Sequence, residues 1–371
     1  MPLTILFFAD RLPPLTGGME MHARYFIEHF SCHAQYPILG IITKDIEGND
    51  AIVTEYGHRF IEIQDLPSQF DPSVVFFNSG RWIENLPEIR KNFPNAVFFY
   101  RTGGNEIIKA PLSNIDIKNH LSRQAYWVKN LNESIDFIIT NSAYTEQRLN
   151  ELGIICQYER CVGGVNFSEL KAPPMTKSAC FLIFSAARFV PYKNYFFFIS
   201  VIQQLVLRGL DFQVRLAGDG PLLAEAKEQV HRNHLSETVK FLGVLKNEDV
   251  CREIAHANIY MQFSSDYMTE VPGGAYIHSE GMGRSILEAL TAGTFVVAGR
   301  CGALPEVVTE SNGLLVDIDD LVSVTDQVER IIKMRPKRNP QFDGYSWEKV
   351  FSRYEKLFRS VGESIACNRE V

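Results

Sequence analysis

Two cations five positions apart, Arg188 and Lys193 in Arg188-Phe189-Val190-Pro191-Tyr192-Lys193-Asn194, stand between a short apolar run and a segment of helical period. A loop entering a helix offers unpaired N–H groups and the positive end of the helix dipole. Arg adds a bidentate fork and Lys a point charge, so the spacing suits a phosphate clamp. A second group, Glu280-Gly281-Met282-Gly283-Arg284-Ser285-Ile286-Leu287-Glu288, sets two carboxylates eight positions apart around a glycine-flanked turn into an apolar helix. Carboxylates accept hydrogen bonds from hydroxyls and glycines let backbone approach a ligand, which points to sugars and ribose. Gly17-Gly18 and Gly103-Gly104 each follow an apolar run and can present backbone N–H groups to oxygens. Taken singly, the cations also read as solvated loop residues, Glu288 as an exposed helix residue, and the paired glycines as tight turns.

Other spacings carry less. Gly218-Asp219-Gly220 and Gly281-Met282-Gly283 open like a dinucleotide fingerprint, but Leu223 and Ile286 stand at the third glycine position, which argues against a nicotinamide cofactor. Asp317-Ile318-Asp319 has a metal–diphosphate spacing, yet it follows an apolar run and is expected to cap a helix from Leu321, so no metal site is assigned. His231 and His234 lack a third ligand and are expected to be solvated. His22 falls on the first turns of a helix after Gly17-Gly18, where it either faces a cleft or is structural or exposed.

These residues need a scaffold that places loops at the ends of strands. Short apolar runs rich in β-branched and aromatic residues alternate with helical periods, the pattern of βα units on parallel sheets. Strands are predicted near Thr4–Ala9, Pro37–Thr43, Phe60–Ile63, Val74–Asn78, Ala96–Arg101, Phe137–Asn141 and Cys156–Arg160, with helices near Glu20–Phe30, Ile115–Ser134 and Ala143–Leu152. Paired Gly163-Gly164 and Pro173-Pro174 mark a linker. The pattern then restarts, with strands near Cys180–Ser185, Phe212–Ala217, Val239–Leu242, Ile259–Gln262, Thr294–Ala298 and Gly313–Val316. Helices near Asn194–Arg208, Leu222–Val230, Asn247–Ala257, Ser285–Thr291 and Leu321–Lys333 separate them. The fold class is therefore α/β, two Rossmann-like doubly wound domains facing across a cleft, with ligands expected beyond the carboxyl ends of the strands. The boundaries are 1–165 and 166–344.

Composition agrees. A length of 371 residues corresponds to about two domains. With 37 Lys+Arg against 44 Asp+Glu, the net charge of -7 gives no overall field for nucleic acid or anionic lipid. The first ten residues lack a basic leader and no run of 18 apolar residues occurs, so a cytoplasmic protein is expected. Seven cysteines without a Cys-x-x-Cys pair are expected to be reduced and mostly buried.

Together the motifs resemble the retaining glycosyltransferases of family 4, which have the two-domain GT-B fold. The resemblance rests on Pro14-Leu15-Thr16-Gly17-Gly18-Met19-Glu20, Arg188 with Lys193, Ala217-Gly218-Asp219-Gly220-Pro221 and Phe241-Leu242-Gly243. It continues through Glu280 to Glu288, Gly302-Ala303-Leu304-Pro305-Glu306 and Gly313-Leu314-Leu315-Val316. It implies transfer of a sugar from a nucleotide-diphosphate sugar, UDP- or GDP-linked, to a glycan, lipid-linked or small-molecule hydroxyl, in bacterial polysaccharide, glycolipid or glycosylated-metabolite synthesis. No resident cofactor and no metal are implied. Arg188, Lys193 and Glu280 would be catalytic. The donor would touch Gly17, Gly18, Arg188, Lys193, Gly243, Val244, Leu245, Glu280, Gly281, Met282, Gly283 and Glu288, the last through ribose.

Many relatives carry a His near the reacting centre where this chain has Arg101-Thr102-Gly103-Gly104-Asn105-Glu106, so Arg101, Asn105, Glu106 or His22 would take an acceptor-side role. The stretch Asp266–Ser279 is an insertion beside the donor sugar, either shaping selectivity or forming a longer surface loop. The family also implies a C-terminal helix, about 345–371, that packs back on the N-terminal, acceptor-binding domain. Lys118, Arg123, Lys129 and Trp127 would give helix 115–134 a basic and aromatic outer surface for peripheral membrane contact, or mark an ordinary amphipathic helix. An epimerase and a non-catalytic subunit on the same fold are the rival readings.

Overall fold

Consecutive aromatic and β-branched residues make strands whose successive side chains serve opposite faces of a sheet. In the computed structural model this happens twice, in two compact units. The first comprises Met1–Val162, Glu270–Tyr276 and Trp347–Val371, and the second Gly163–Thr269 and Ile277–Ser346. The structure describes every residue except 1, 10–11, 13–17, 44–59, 62–65, 67–69, 79, 104–106, 108–116, 171–179, 272–273 and 370–371.

The first unit holds a parallel sheet of seven strands: β1 (Ile5–Phe8), β2 (Ile38–Ile42), β3 (Phe60–Ile61), β4 (Val74–Phe77), β5 (Val97–Arg101), β6 (Phe137–Thr140) and β7 (Gln157–Arg160). They lie in the order β3-β2-β1-β4-β5-β6-β7. Helices α1 (Gly18–Ser31), α2 (Leu86–Asn92), α3 (Ile117–Ser134) and α4 (Ala143–Glu151) connect them. The second unit holds six parallel strands: β8 (Phe181–Ala186), β9 (Phe212–Ala217), β10 (Val239–Gly243), β11 (Ile259–Gln262), β14 (Phe295–Gly299) and β15 (Gly313–Val316), in the order β10-β9-β8-β11-β14-β15. Its helices are α5 (Tyr195–Leu207), α6 (Leu223–Arg232), α7 (Asn247–His256), α8 (Arg284–Thr291) and α9 (Leu321–Met334). All thirteen strands expected from the sequence are present in these two sheets. In both, the order reverses beside the unit's first strand, at β1/β4 and β8/β11. Loops leaving those strands therefore flank the crevice where such sheets take ligands.

Two segments differ from expectation. Leu86–Asn92 is helical, although Pro87 and its shortness hide the period; Pro is tolerated in a first turn because that N–H has no helical partner. The stretch 266–279 is neither a strand of the main sheet nor an irregular loop. It forms a two-stranded hairpin of β12 (Tyr267–Val271) and β13 (Gly274–His278).

Strand alternation fills the first unit with rings. Phe7 and Phe76 face one side of the sheet with Phe26 and Phe30 of α1, while Phe8 and Phe77 face the other with Trp82 and Phe98. Phe7 stacks on Phe26 at 4.4 Å and Phe8 on Phe77 at 4.6 Å, geometries that add to the burial of apolar area. Helix α10 (Trp347–Arg369) completes the first of these layers, contributing Val350, Phe351, Tyr354 and Phe358. Within it, fully buried His22 bonds through Nε2 to Tyr354 Oη at 3.0 Å. Burial, with the charge of Arg101 adding to it, holds the His22 imidazole well below its ordinary pKa and therefore neutral.

Trp127 corrects the expected outer surface of α3. It is only 5% exposed, packs in the opposite core layer and donates Nε1–H to Glu84 at 3.1 Å, while Arg123 pairs with the same carboxylate. No helix among the described residues is long and apolar enough to cross a membrane. Cys32, Cys156, Cys161, Cys180, Cys251 and Cys301 are free thiols, of which Cys161, Cys251 and Cys301 are buried and Cys32 is exposed.

In the second unit Ile259, Met261 and Phe263 join Phe198, Ile199 and Ile202 of α5 in one apolar cluster. The Gly218-Asp219-Gly220 turn is a packing device. A Cβ at Gly218 would lie 2.0 Å from Ala187 O and one at Gly220 2.5 Å from Phe189 O, with φ of +133° and +153°. The turn thereby grips the loop leaving β8, through Phe189 N donating to Asp219 O at 2.9 Å and Leu222 N to Phe189 O at 3.1 Å.

Gly220→Ala should destabilise the second unit by about 2 kcal/mol or more, because backbone must move and φ is unsuited to an L side chain. Gly18→Ala, where a Cβ meets nothing within 4 Å, should stay within about 0.5 kcal/mol of wild type. Denaturant unfolding of the two variants checks both values. The neutral His22 predicts a pH dependence: below its ordinary pKa of 6.5 the unfolded chain takes up a proton that the folded chain refuses. Stability present above that pH should fall by about 1.4 kcal/mol per unit as the pH drops below it. His22→Gln should remove that part of the slope in unfolding curves between pH 7 and 5.

Candidate functional site

The strand order of the second unit sets β8 beside β11, so the loop after β8 and the chain after β11 emerge together. Phe189, fully buried and stacked on Tyr195 at 3.9 Å, pins the first loop at its middle. Arg188 stays exposed on one side, and Pro191–Lys193 forms a 3-10 turn on the other. The turn ends at Asn194, in the left-handed region with φ of 53°, and α5 starts there. Lys193 Nζ forms an ion pair with Glu280 Oε2; the two side chains are 12% and 14% exposed.

Glu280 is held by backbone and side chain. Ala303 N donates to the main-chain Glu280 O at 2.8 Å, and a Cβ at Gly302 would lie 2.2 Å from that oxygen, so Gly302-Ala303 supports the backbone that carries the carboxylate. Ser264 Oγ and Gln262 Nε2 donate to Glu280 Oε2 at 3.1 and 3.2 Å. Burial raises the Glu280 pKa, but the Lys193 charge and hydrogen bond, the Ser264 hydroxyl and the nearby His278 outweigh it and leave the pKa below its ordinary value. The carboxylate is charged at neutral pH.

Gly283, at φ of 69°, caps α8 and turns the chain from Glu280 into the helix. One turn further, Glu288 is 3% exposed; it accepts from Asn247 Nδ2 at 2.9 Å and lies 3.3 Å from Arg284 Nε. Asn247 starts α7, one residue beyond Gly243-Val244-Leu245 with Lys246 between as N-cap, and Val244 is 73% exposed. The Asn247 bond thus joins the segment after β10 to α8, linking two groups that the sequence placed separately.

Several participants escaped the sequence reading: Gln262, Ser264, Tyr260, Tyr192, Asn247 and Arg284. Three of them had a signal. Tyr260, Gln262 and Ser264 alternate with the core residues Ile259, Met261 and Phe263, a buried polar face at period two on an otherwise apolar run. They form a chain in which Tyr260 Oη donates to Gln262 Oε1 at 3.0 Å or Ser285 Oγ at 2.7 Å, and Gln262 Nε2 to Ser264 Oγ at 2.8 Å.

In the first unit, Gly18 opens α1 after β1. Asn78, after β4, donates Nδ2–H to Met19 O at 3.0 Å. Arg101, 8% exposed at the end of β5, directs Nη1 at Met19 Sδ, 3.0 Å away. His22 has no exposed surface through which to touch an acceptor. Gly17, Asn105 and Glu106 lie outside the described residues. A depression of about 540 Å³ on this unit, lined by Gln124, Val128, Lys129, Asn132 and Leu152 among others, contains none of the candidate donor or acceptor residues. Asp317 and Asp319 do not cap α9: Asp320 does, accepting from Val322 N and Ser323 N, because its carboxylate is the one at the N-cap position. Asp317 instead pairs with Arg300 at 3.0 Å. His231 and His234 are exposed, as expected.

Residues 168–342 match the family model of glycosyl transferases group 1. That segment contains Arg188, Lys193, Gly243 to Leu245, Glu280 to Gly283 and Glu288; Gly18, His22 and Arg101 lie outside it. A relative from Corynebacterium glutamicum is 27% identical over 259 residues, 64% of this chain and 65% of its own. It is a GDP-mannose-dependent monoacylated alpha-(1-6)-phosphatidylinositol monomannoside mannosyltransferase. The N-acetyl-alpha-D-glucosaminyl L-malate synthase of Bacillus anthracis is 25% identical over 165 residues, 42% of this chain and 39% of its own. The chain thus spans less than two thirds of the length of either relative. Among solved structures, an Anabaena protein in complex with UDP and glucose superposes with a TM-score of 0.70 at 15% identity, covering 96% of this chain and 100% of that one. The two parallel-sheet units have the fold of the GT-B glycosyltransferases.

Proposed function

We propose that the protein is a glycosyltransferase that moves a sugar from a nucleotide-diphosphate sugar to an acceptor hydroxyl, with retention of anomeric configuration and without a metal. The observation that carries this reading is the partly buried Lys193–Glu280 pair beside the strand-order reversal of the second unit, inside the segment that matches the family model. The relatives named above include a GDP-mannose-dependent enzyme, and the Anabaena neighbour holds UDP and glucose; both support a UDP- or GDP-linked donor. The second unit takes the donor, and the first, with Arg101, Asn105 and Glu106, takes the acceptor.

Arg188 and Lys193 face the donor diphosphate and offset the charge that grows on the leaving nucleotide, a field preorganised by the fold. Glu280 receives Lys193, Gln262 and Ser264 on Oε2, and its other oxygen accepts from a donor-sugar hydroxyl. Backbone at Gly281 to Gly283 supports the same sugar. Glu288 accepts from the ribose hydroxyls, and backbone at Gly243 to Leu245 touches the base. In the transfer, the acceptor oxygen bonds to the anomeric carbon as the bond from that carbon to the phosphate oxygen breaks. The electron pair leaves with the nucleoside diphosphate, and the hydroxyl proton passes to a departing phosphate oxygen. Attack and departure share one face of the sugar.

Thermal unfolding against UDP, GDP, ADP and NAD tests donor recognition. One nucleoside diphosphate at about 100 times its dissociation constant should add about 2.7 kcal/mol, and Glu288→Ala should lose most of that gain. A chain stabilised only by NAD would overturn the reading. With the donor so identified, Lys193→Ala should lower turnover about 100-fold or more, and wild-type turnover would remove Lys193 from the mechanism. The product should keep the donor's anomeric configuration by NMR, and a chelator should leave the rate unchanged; inversion or a chelator-dead enzyme would correct those two points. Because the Glu280 pKa is depressed, the stability it contributes is fully present above the ordinary carboxylate range and is lost as pH falls through the folded value. Acid unfolding curves of Glu280→Gln should lack that component.

A further inference from the structure

Between the two cations of the clamp stands an aromatic residue bound to both of its neighbours. Tyr192 Oη accepts a hydrogen bond from Arg188 Nη2 at 2.8 Å, and Lys193 Nζ lies 5.5 Å from the centre of the Tyr192 ring. The β12–β13 hairpin holds the same residue at both of its feet. Ser265 N, just before β12, donates to Tyr192 O at 2.9 Å. His278, the last residue of β13, stacks its imidazole on the Tyr192 ring with centroids 3.7 Å apart and planes 29° apart. Ser279 Oγ then donates to Asp266 and closes the base of the hairpin.

We propose that Tyr192 is a positioning residue for the diphosphate clamp and that the hairpin sets the clamp's geometry through it. The inference rests on the proposed donor site and adds to it a residue and an element with an assigned task. The chemistry explains the choice of a phenol. A carboxylate in that place would neutralise Arg188 and compete with phosphate for the guanidinium, whereas a neutral hydroxyl orients the fork and leaves its whole charge for the ligand. Among the described residues Arg188 makes no ion pair, while Lys193, its companion, is already compensated by Glu280. Fixing an exposed Arg through one side chain requires that side chain to be fixed in turn. The His278 stack and the Ser265 bond supply that from outside the clamp loop. An insertion at 266–279 thus reaches the clamp without itself touching phosphate, and changes in the hairpin adjust how well the guanidinium is aimed.

Calorimetric titration of the whole chain with the nucleoside diphosphate that binds wild type, and with its parent nucleoside, tests this. Tyr192→Phe, which keeps the stack and removes the hydroxyl, should weaken diphosphate binding about five-fold, the size expected of one hydrogen bond, and leave the nucleoside unchanged. Arg188→Ala combined with Tyr192→Phe should bind no more weakly than Arg188→Ala alone, because the tyrosine acts through the arginine. His278→Ala should weaken the diphosphate selectively, and His278→Phe should restore it. Equal losses for nucleoside and diphosphate, or additive losses in the double variant, would overturn the proposal while leaving the donor site intact. A wild-type chain that binds no nucleoside diphosphate would instead overturn the proposed function, and the positioning role with it.

Discussion

Lys193 and Glu280 meet because the second unit's strand order reverses between β8 and β11. Taking two such charges out of water costs several kcal/mol per ion, and either one alone in that place would be strongly destabilising. The surrounding sequence reads as the means of meeting that cost. Phe189 fixes the loop that carries Lys193, Ala303 N fixes the backbone of Glu280, and Gln262 and Ser264 satisfy its carboxylate. Removing the glycine turn at 218–220 would shift Phe189, and through it the lysine. A partly buried charge pair of this kind is weak support for stability, and it fits the proposed site, in which charge is already arranged when a ligand arrives.

The first unit has the same strand logic and a different filling. Its sheet is packed on both faces by phenylalanines, and its last layer comes from α10, at the far end of the chain. His22 belongs to that layer. Neutral and bonded to Tyr354, it behaves as a core residue that fits among rings, and its place beside a glycine loop in sequence says nothing about reach into solvent. Arg101 is the ionisable group of this unit that does sit at a strand end among the described residues considered for the site, and its guanidinium is turned toward Met19 and Asn78.

The fold was largely legible because parallel strands buried on both faces are written as unbroken apolar runs, such as Ile5-Leu6-Phe7-Phe8 and Val74-Val75-Phe76-Phe77. The short helix at Leu86 was not legible, since seven residues with a proline give too little period. The hairpin at 267–278 was hidden for another reason: its strands mix apolar and polar residues on a two-stranded element outside the main sheets, with Tyr267, Met268 and Ile277 exposed, so no buried apolar run marks them. Among candidate residues, Arg188, Lys193, Glu280 and Glu288 announced themselves by charge and spacing. Tyr192 did not, because a tyrosine in an apolar stretch carries no signal of the bond its hydroxyl will make.

The sequence by itself determined the alternation of elements, the two α/β units and the residue types able to hold phosphate and hydroxyl groups. These follow from local periodicity and from the chemistry of single side chains, which need no knowledge of neighbours. The tertiary structure decided which of those residues meet. Lys193 and Glu280 are 87 positions apart, and only the crossing of the chain between β8 and β11 brings their charges together. It also decided that Trp127 and His22 serve the core, since amphipathic period alone does not tell which neighbour will cover a face. That Asp320 rather than Asp317 caps α9 depends on where the helix begins, and packing in three dimensions fixes that point.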